Sequence, residues 1–220
     1  MTDLTIDVQG ESVQLLPERA LFWPRTQTLF IADPHFGKVA TFQAHGVPLP
    51  TGSDSSTLQR LTHALARSQA EKLIILGDLF HTARGRDASL LQELAEWRQD
   101  HIHLPIYLVR GNHDRHAGDP PAEWNFHLVD GPTPGPLWVL NHEPIQPALG
   151  YALVGHLHPA IRLFGRGQQS LKLPCFWFGA QCGVLPAFGE FIDHGLIQPQ
   201  KGDQLFVVGE GKIFALPHAG

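Results

Sequence analysis

The sequence has little of what secreted, redox-active and membrane-spanning proteins depend on. It contains two cysteines among 220 residues, Cys175 and Cys182, and they form neither a CxxC pair nor a disulfide framework. No apolar run approaches the roughly 18 residues that a membrane helix needs. The N-terminal segment lacks the apolar core of a secretory signal. We therefore expect a soluble, cytoplasmic protein with reduced thiols and no membrane partner.

The sequence also lacks an excess of positive charge. Its formal net charge is −5, and charged residues make up 17% of the chain without forming a block of one sign. A protein that grips long duplex DNA through its phosphates usually has a basic face. Any nucleic-acid substrate would therefore be held locally, with bound metal ions supplying much of the positive charge.

Histidine is the residue that the sequence has in excess. The chain contains 14 of them, and several follow short apolar runs, next to glycine, aspartate or asparagine. Imidazole nitrogens beside carboxylate and amide oxygens are typical of metal sites. The distribution therefore directs the search for function to the ends of the predicted strands.

The first half of the sequence alternates strand and helix patterns. Short apolar runs predict buried strands, and leucines at helical spacing predict amphipathic helices. The predicted elements are strands at 28–32, 73–76 and 105–109 and helices at 55–69 and 87–100. Asp87 is the expected cap of the second helix, and Ser53 or Asp54 that of the first. The βαβαβ order implies parallel strands in one sheet, with a hairpin over 5–16 before it and a loop over 37–53 within it.

The second half lacks strong helical periodicity. Glycine and proline turns separate short strand patterns, which predicts a second, largely antiparallel sheet. The strand candidates are 126–129, 137–141, 151–155, 160–164, 171–178, 190–192 and 204–216. No linker of low complexity separates the two halves. We therefore expect one domain over residues 1–220 with an α/β fold, in which two packed mixed β-sheets are flanked by helices.

Five polar clusters follow the strand-like runs. They are Asp33-x-His35, Gly77-Asp78, Gly111-Asn112-His113-Asp114, Asn141-His142 and Gly155-His156-x-His158. Residues i and i+2 of an extended segment face the same side, so each D-x-H or H-x-H pair is expected to point into one site. Glycine before a cluster lets the backbone turn and lets ligands approach closely.

The residue types in these clusters indicate a catalytic rather than a structural metal site. Four histidines, two aspartates and one asparagine without a cysteine fit borderline-hard divalent ions, whereas structural zinc prefers thiolates. Seven ligands exceed what one tetrahedral ion binds, but they serve two ions if one carboxylate bridges. Asp78 is the expected bridge because it stands alone in its cluster.

The order D-x-H, G-D, G-N-H-D, N-H-E and G-H-x-H, over residues 33–158, closely resembles that of the calcineurin-like metallophosphoesterases. This resemblance implies two metal sites that share one aspartate. The first would consist of Asp33, His35, Asp78 and His158, and the second of Asp78, Asn112, His142 and His156. It also implies that His113 is a non-ligand histidine near the leaving group, with Asp114 as its orienting partner. Pro34 replaces the apolar residue or threonine that usually follows the first aspartate, a departure that affects no ligand.

Four further segments resemble a narrower bacterial group, the ligase-associated DNA damage response endonucleases of the PdeM type. These segments are residues 32–38 (ADPHFGK), 46–52 (GVPLPTG), 173–176 (LPCF) and 185–191 (LPAFGEF). The resemblance implies a manganese-favouring phosphodiesterase or nuclease. It also implies a functional link to an ATP-dependent DNA ligase, a helicase and an exonuclease.

Together these observations predict a dinuclear enzyme that hydrolyses phosphodiester bonds by a hydroxide that bridges two metal ions. A pair of manganese ions is the favoured cofactor, and iron or zinc would also suit these ligands. The expected substrate is single-stranded or structured DNA in repair. Two alternatives stay open: a phosphatase or phosphodiesterase for small molecules, and a non-catalytic scaffold of the same fold, which would be expected to have lost ligands.

Some residues near the predicted site have no single interpretation. Arg84 and Arg86 lie in the loop after Asp78. Loop arginines are usually solvated, but these two could contact a substrate phosphate. The histidines whose roles stay open are His45, His81 and His194.

Overall fold

A seven-stranded sheet occupies the N-terminal half of this computed structural model, which describes residues 2–135, 137–165 and 169–217. Its strands are β1 (Leu4–Val8), β2 (Glu11–Leu16), β3 (Ala20–Trp23), β4 (Thr28–Ile31), β5 (Lys72–Ile75), β6 (Ile106–Val109) and β7 (Phe126–Val129), side by side in that order. Strands β1 to β4 pair antiparallel, and β4 to β7 pair parallel. The hairpin and the three parallel strands predicted from the sequence are confirmed.

Strand β7 belongs to the first sheet, where it pairs with β6, whereas the sequence pattern places 126–129 in the second sheet. The prediction failed because no long helix separates β6 from β7. The crossover contains only a short helix, α4 (Asp114–Ala117), and a 3₁₀ turn over Ala122–Trp124. Strand β3 had no counterpart in the prediction.

The second sheet is mixed. Its strands are β8 (Thr133–Pro134), β9 (Val139–Leu140), β10 (Ala152–Val154), β11 (Pro159–Phe164), β12 (Ser170–Phe178), β13 (Cys182–Val184), β14 (Gly195–Leu196), β15 (Gln204–Gly209) and β16 (Lys212–Ala215). Strand β10 pairs parallel with β9 and β13, and β11 pairs parallel with β14, whereas the remaining pairs are antiparallel. The predicted strand at 190–192 is wrong, since strand pairing resumes only at Gly195.

Three helices lie between β4 and β6: α1 (Lys38–Ala44), α2 (Ser53–Ser68) and α3 (Ala88–Asp100). Asp87 caps α3 as predicted, because its carboxylate accepts from Leu90 N at 2.9 Å. Helix α1 occupies part of the predicted loop over 37–53. The predicted cap of α2 is also wrong: Gly52 is the N-cap residue, and Asp54 instead accepts from Gly37 N at 3.0 Å, which ties the two helix starts together.

The core has two parts, one on each face of the first sheet. Leu29 and Ile31 of β4 pack toward α2 and α3, and Phe30 between them packs toward the second sheet. This alternation follows from the two-residue period of a strand. Full burial of such a side chain contributes roughly 1.5–3 kcal/mol. The α/β fold with two packed mixed sheets and helices is therefore confirmed, while the single-domain organisation stays a prediction.

The two cysteines are unpaired, as expected. Cys175 is buried in β12, and burial raises the pKa of its thiol to about 12. Within the described part of the chain, none of the helices has both the length and the apolar character needed to cross a bilayer.

Candidate metal centre

The candidate site lies where the loops after β4, β5 and β6 meet the loops after β9 and β10. Because β4, β5 and β6 are parallel neighbours, their carboxyl ends share one edge of the sheet, which is where such sheets bind ligands. The second sheet faces this edge and brings its own loops to it. The site is therefore formed between the two sheets.

The backbone of the site turns at the ligand-type residues instead of running extended. The residues with positive φ are Asp33 (53°), His35 (48°), Asp78 (54°), His156 (69°) and His158 (45°). This corrects the expectation that i and i+2 converge because the segment is extended. Such φ values cost a non-glycine residue on the order of 1–3 kcal/mol, and they concentrate at functional sites where the surrounding structure holds them.

Glycine precedes three of the clusters because other site residues occupy the space of a side chain. A Cβ at Gly77 would lie 2.1 Å from His142 Nδ1, and one at Gly111 would lie 2.2 Å from Asp78 Oδ1. The close approach that the sequence predicted is confirmed at both positions.

The first cluster, named cluster 1 here, consists of Asp33, His35 and His158. Their ligand atoms lie within 4.8 Å of one another. His35 Nε2 is 3.2 Å from His158 Nε2, and Asp33 Oδ1 is 3.7 Å from the same nitrogen. Asp33 Oδ1 is fully buried and has no hydrogen-bond partner among the described residues. A buried carboxylate oxygen without a partner, facing two imidazole nitrogens, fits a cation that would lie between them.

The second cluster, cluster 2, consists of Asp78, His142 and His156, with Asn112 beside it. His156 Nδ1 lies 3.0 Å from His142 Nε2, and Asn112 Oδ1 lies 2.9 Å from that nitrogen. His142 Nδ1 donates to Leu76 O at 3.0 Å, which leaves Nε2 as the nitrogen that faces the cluster. All seven predicted ligand side chains are thus brought into two adjacent clusters.

One oxygen of Asp78 faces both clusters. Asp78 Oδ2 lies 3.6 Å from His35 Nε2 and 3.4 Å from His142 Nε2. The other oxygen, Oδ1, accepts from His113 N at 2.9 Å. Asp33 divides its oxygens in the same way, since Oδ2 accepts from His156 N at 2.9 Å. Each carboxylate is therefore oriented by a backbone N–H and turns its second oxygen toward histidine nitrogens.

The protonation states differ between the two clusters. Burial lowers the pKa of His35 to about 2, so this ring is a neutral ligand. Burial alone would raise the pKa of Asp78, but its hydrogen bond with His142 lowers it to about 2, so the carboxylate is ionised. Burial would lower the pKa of His142, but the hydrogen bond with Asp78 and the charges of Asp33 and Asp78 raise it to about 9, so a metal ion that binds this ring displaces a proton. Neutral imidazoles, ionised carboxylates and an amide oxygen are the donor set that divalent ions such as Mn, Fe and Zn accept. The residues present therefore fit divalent metal ions.

His113 has a different partner from the one predicted. Its Nδ1 donates to His81 O at 2.6 Å, which leaves Nε2 available on the opposite side of the ring. The carboxylate of Asp114 instead accepts from Asp78 N at 2.8 Å, Leu79 N at 2.9 Å and Gly111 N at 2.9 Å. The orienting role predicted for Asp114 is therefore wrong: it fixes the loops that hold Asp78, and the His81 carbonyl orients His113.

The two arginines proposed to contact phosphate are in different surroundings. Arg86 Nη1 donates to Ala117 O at 2.8 Å, and its guanidinium lies over the Phe80 ring at 4.5 Å. These contacts give Arg86 a packing role. Arg84 is exposed. A substrate contact by either arginine stays a prediction.

The three histidines left open differ as well. His45 Nδ1 donates to Thr41 O at 2.8 Å at the end of α1, which is a local helix contact. His194 is half-buried, and burial together with the charge of Arg19 lowers its pKa to about 4. His81 belongs to the site, because one of its nitrogens lies within 4.8 Å of one nitrogen each of His35 and His113.

Sequence reasoning missed the residues that position His158. His158 Nδ1 donates to Asp193 O at 3.2 Å, so Nε2 is left for a metal. Asp193 belongs to the anchor segment, defined here as residues 187–193, which runs past cluster 1. Arg60 of α2 donates to Phe188 O and pairs with Glu190 within it.

Arg19 fixes the same segment from the first sheet side, since its Nη1 donates to Gly189 O at 3.0 Å. The segment also bonds directly to the Asp33 loop, because Phe188 N donates to Ala32 O at 2.7 Å. The LPAFGEF motif marked this stretch as unusual, but nothing in the sequence pointed to its arginine partners.

The geometry agrees with the family comparison. A family model for the calcineurin-like phosphoesterases matches residues 26–155. The chain belongs to this family, and it is a metal-dependent phosphoester hydrolase. The crystal structure of Pseudomonas putida nuclease MPE is similar to this chain, with 37% identity and a TM-score of 0.86, over 98% of this chain and all of that one. That similarity is consistent with the narrower endonuclease group.

A second solved structure, that of Yfce, a phosphoesterase from E. coli, has 19% identity and a TM-score of 0.44. The match covers 86% of this chain and 96% of that one, and it is too distant to add to the argument. A search of curated protein sequences gives no match.

Proposed function

We propose that this protein is a dinuclear metal-dependent phosphodiesterase that cleaves single-stranded or structured DNA. The observation that carries the proposal is the position of Asp78 Oδ2, 3.6 Å from His35 Nε2 and 3.4 Å from His142 Nε2. An oxygen near the metal-side Nε2 of one histidine in each cluster is what two ions with a shared carboxylate ligand require. Asp33 Oδ1 lies 3.6 Å from His142 Nδ1, but that nitrogen is bonded to Leu76 O.

The two clusters divide the ligands between two ions. One ion would be held by Asp33, His35, Asp78 and His158, and the other by Asp78, Asn112, His142 and His156. We propose manganese as the native metal, with iron or zinc as chemically acceptable substitutes. When bound, the pair would attract the phosphate group, polarise it and lower the pKa of a shared water to about 7.

The surrounding residues have separate tasks in this proposal. The two aspartates hold the ions through one oxygen each, while their other oxygens accept the backbone N–H groups of His113 and His156. His113 carries a proton on Nε2 and gives it to the leaving oxygen as the phosphorus–oxygen bond breaks. Its Nδ1–H stays bonded to His81 O, which keeps Nε2 as the donor.

The nucleic-acid part of the proposal rests on the similarity to the P. putida nuclease. The match extends over 98% of this chain, so it includes the anchor segment as well as the metal clusters. The net charge of −5 argues for a local grip on a strand rather than a wide basic face. A role in DNA repair, a functional association with an ATP-dependent ligase, a helicase and an exonuclease, and a cytoplasmic location stay predictions.

The test compares three substrates: a nitrophenyl phosphodiester, the corresponding monoester and single-stranded DNA, each with Mn²⁺, Fe²⁺ and Zn²⁺. We expect cleavage of the diester and the DNA, most rapidly with Mn²⁺, and little hydrolysis of the monoester. Asp78→Asn is the inactive control and guards against a contaminating nuclease. Cleavage of the diester but of no DNA substrate would favour the small-molecule alternative. Inactivity with every ion would favour the scaffold.

A further inference from the structure

Three rings form a stack at the side of the site where His113 lies. The Phe42 and His81 rings have centroids 5.9 Å apart, and the His81 and His113 rings have centroids 4.9 Å apart. The interplanar angle is 22° in both pairs. The stack therefore runs from helix α1, which carries Phe42, to the histidine that follows Asn112.

His81 holds His113 at two points. Its carbonyl oxygen accepts from His113 Nδ1 at 2.6 Å, and its ring covers one face of the His113 ring. The His35 ring forms a T-shaped contact with His113, with centroids 4.9 Å apart and an angle of 83°. His113 is thus enclosed by one hydrogen bond and two rings.

The two contacts reinforce each other. Both contacts restrain the second side-chain torsion of His113, which is broad for histidine. A single hydrogen bond tolerates a range of angles, and the stack on His81 narrows that range. The position of Nε2 depends on this torsion, and a proton donor must lie within about 3.2 Å of the atom that it protonates.

Imidazole is not the side chain best suited to the position of His81. Its Nδ1 is buried and has no hydrogen-bond partner among the described residues. A phenylalanine of similar shape would keep the stack between Phe42 and His113 without burying an unpaired nitrogen. This makes His81→Phe a variant that is expected to fold and that isolates the stacking surface from the imidazole chemistry.

We propose that His81 is a positioning residue for His113: its ring, supported by Phe42, holds the His113 ring in the plane that directs Nε2 at the leaving oxygen. The inference rests on the proposed function, because it assumes that His113 protonates a leaving group. It assigns a role to a histidine that lies outside both metal clusters. His81 acts through His113 and needs no contact with substrate.

The kinetic test uses aryl phosphodiesters whose leaving groups range from nitrophenol to phenol, assayed with Mn²⁺. The variants are His81→Ala, His81→Phe, His113→Ala and the double variant His81→Ala/His113→Ala, with the exposed His103→Ala as a matched control. We expect His81→Ala to lower kcat by about 100-fold for the phenyl ester, since small misplacements near the reacting atoms cost this much. The loss should be smaller for the nitrophenyl ester, which needs little protonation.

Three results together would support positioning. His81→Phe should keep kcat within about 3-fold of the parent protein, because phenylalanine keeps the stack on His113. A factor of that size corresponds to well under 1.4 kcal/mol of activation free energy. His81→Ala should have no further effect in the His113→Ala background. Metal content should be unchanged in every variant. A His81→Phe protein as slow as His81→Ala, or full additivity of the double variant, would overturn the proposal in favour of direct chemistry by the imidazole.

A readout that needs no turnover keeps this inference separate from the proposed function. The Nδ1–H proton of His113 should give a slowly exchanging NMR signal, identified by its loss in His113→Ala. The signal should persist in His81→Phe and broaden or disappear in His81→Ala. Persistence in His81→Ala would overturn the positioning role even if the enzyme cleaves DNA. If the signal persists in His81→Phe and is lost in His81→Ala, but the protein cleaves no DNA, the result would count against the proposed substrate and not against the positioning role.

Discussion

The two sheets hold their share of the metal centre by different means. In the first sheet, hydrogen bonds pass directly from loop to loop: Asp33 N donates to Gly77 O at 3.2 Å, and His35 N donates to Asp78 O at 2.9 Å. In the second sheet, His158 is held from outside, through Asp193 O and the anchor segment. The loops of the first side are braced by one another, whereas the His158 loop of the second side is held by the separate anchor segment.

Burial follows the same division. Asp33, His35 and Asp78 of the first sheet are at most 3% exposed, whereas His156 and His158 of the second sheet are half-buried. His142, at 2% exposed, is the buried ligand of the second sheet. We therefore expect the Asp33 and Asp78 loops to be ordered without metal and the loop over residues 156–158 to respond most to metal binding. We also expect substitutions on the two sides to impair the protein in different ways.

Asp78→Asn should have the largest effect, because it removes a carboxylate oxygen that lies near the Nε2 atom of one histidine in each cluster. We expect turnover of a phosphodiester to fall by at least about 1,000-fold, since several kcal/mol of transition-state stabilisation depend on the ion pair. Metal analysis of the purified protein should show fewer than two bound ions. The exposed Asp100→Asn is the matched control. Retention of two tightly bound ions would contradict the shared-ligand assignment.

Asp114→Ala should destabilise the loops that hold Asp78 rather than slow proton transfer from His113. Its buried carboxylate accepts three backbone N–H groups, which would lose their partner. We expect the free energy of unfolding of the metal-free protein to fall by about 3 kcal/mol. Denaturant unfolding measures this, with Asp114→Asn as a milder variant. Unchanged stability, together with slower turnover only for poor leaving groups, would instead restore the orienting role expected from the sequence.

Metal addition should stabilise the second-sheet side most. At about 100 times the dissociation constant, each bound Mn²⁺ should add about 2.7 kcal/mol to the free energy of unfolding. For a chain of this size, that gain corresponds to an increase in Tm of roughly 5–10 °C. Hydrogen exchange should slow more in residues 155–158 than in residues 76–79. An equal gain in protection of both loops on metal addition would show that the loop over residues 76–79 is not ordered before metal binds.

Arg60→Gln should have the smallest effect and should act on one ion only. Loss of its contacts with Phe188 O and Glu190 frees the anchor segment and, through it, His158. Outer contacts of this kind are worth about 10–100-fold in metal affinity. Calorimetric titration with Mn²⁺ should show one weakened site and one unchanged site. Arg25→Gln, at an exposed pair with Glu11, is the control, and equal weakening of both sites would refute the one-sided dependence.

The parts of the fold that the sequence predicted correctly have local causes. Strands β4, β5 and β6 are short apolar runs, and α2 and α3 carry leucines at helical spacing, so each is visible in a short window. The ligand types and their order were visible for the same reason, because each cluster directly follows its strand. Helix α1 was missed because it has only seven residues and follows a glycine with φ of 77°.

The contacts that the sequence could not predict join residues far apart in the chain. Arg60 and Glu190 are separated by 130 residues, and His158 and Asp193 by 35. Asp54 and Asp114 look like an ordinary helix cap and a histidine partner, but each bonds to a backbone N–H of another loop. No local pattern carries that information.

The sequence by itself determined which donor atoms this protein has and which strand each of them follows, because periodicity and residue chemistry act over a few neighbours. The tertiary structure decided which oxygen of Asp78 faces both clusters, that a backbone carbonyl rather than Asp114 orients His113, and that His81 stacks on it. These outcomes depend on how two sheets pack, and packing fixes positions to fractions of an ångström that residue order alone leaves free.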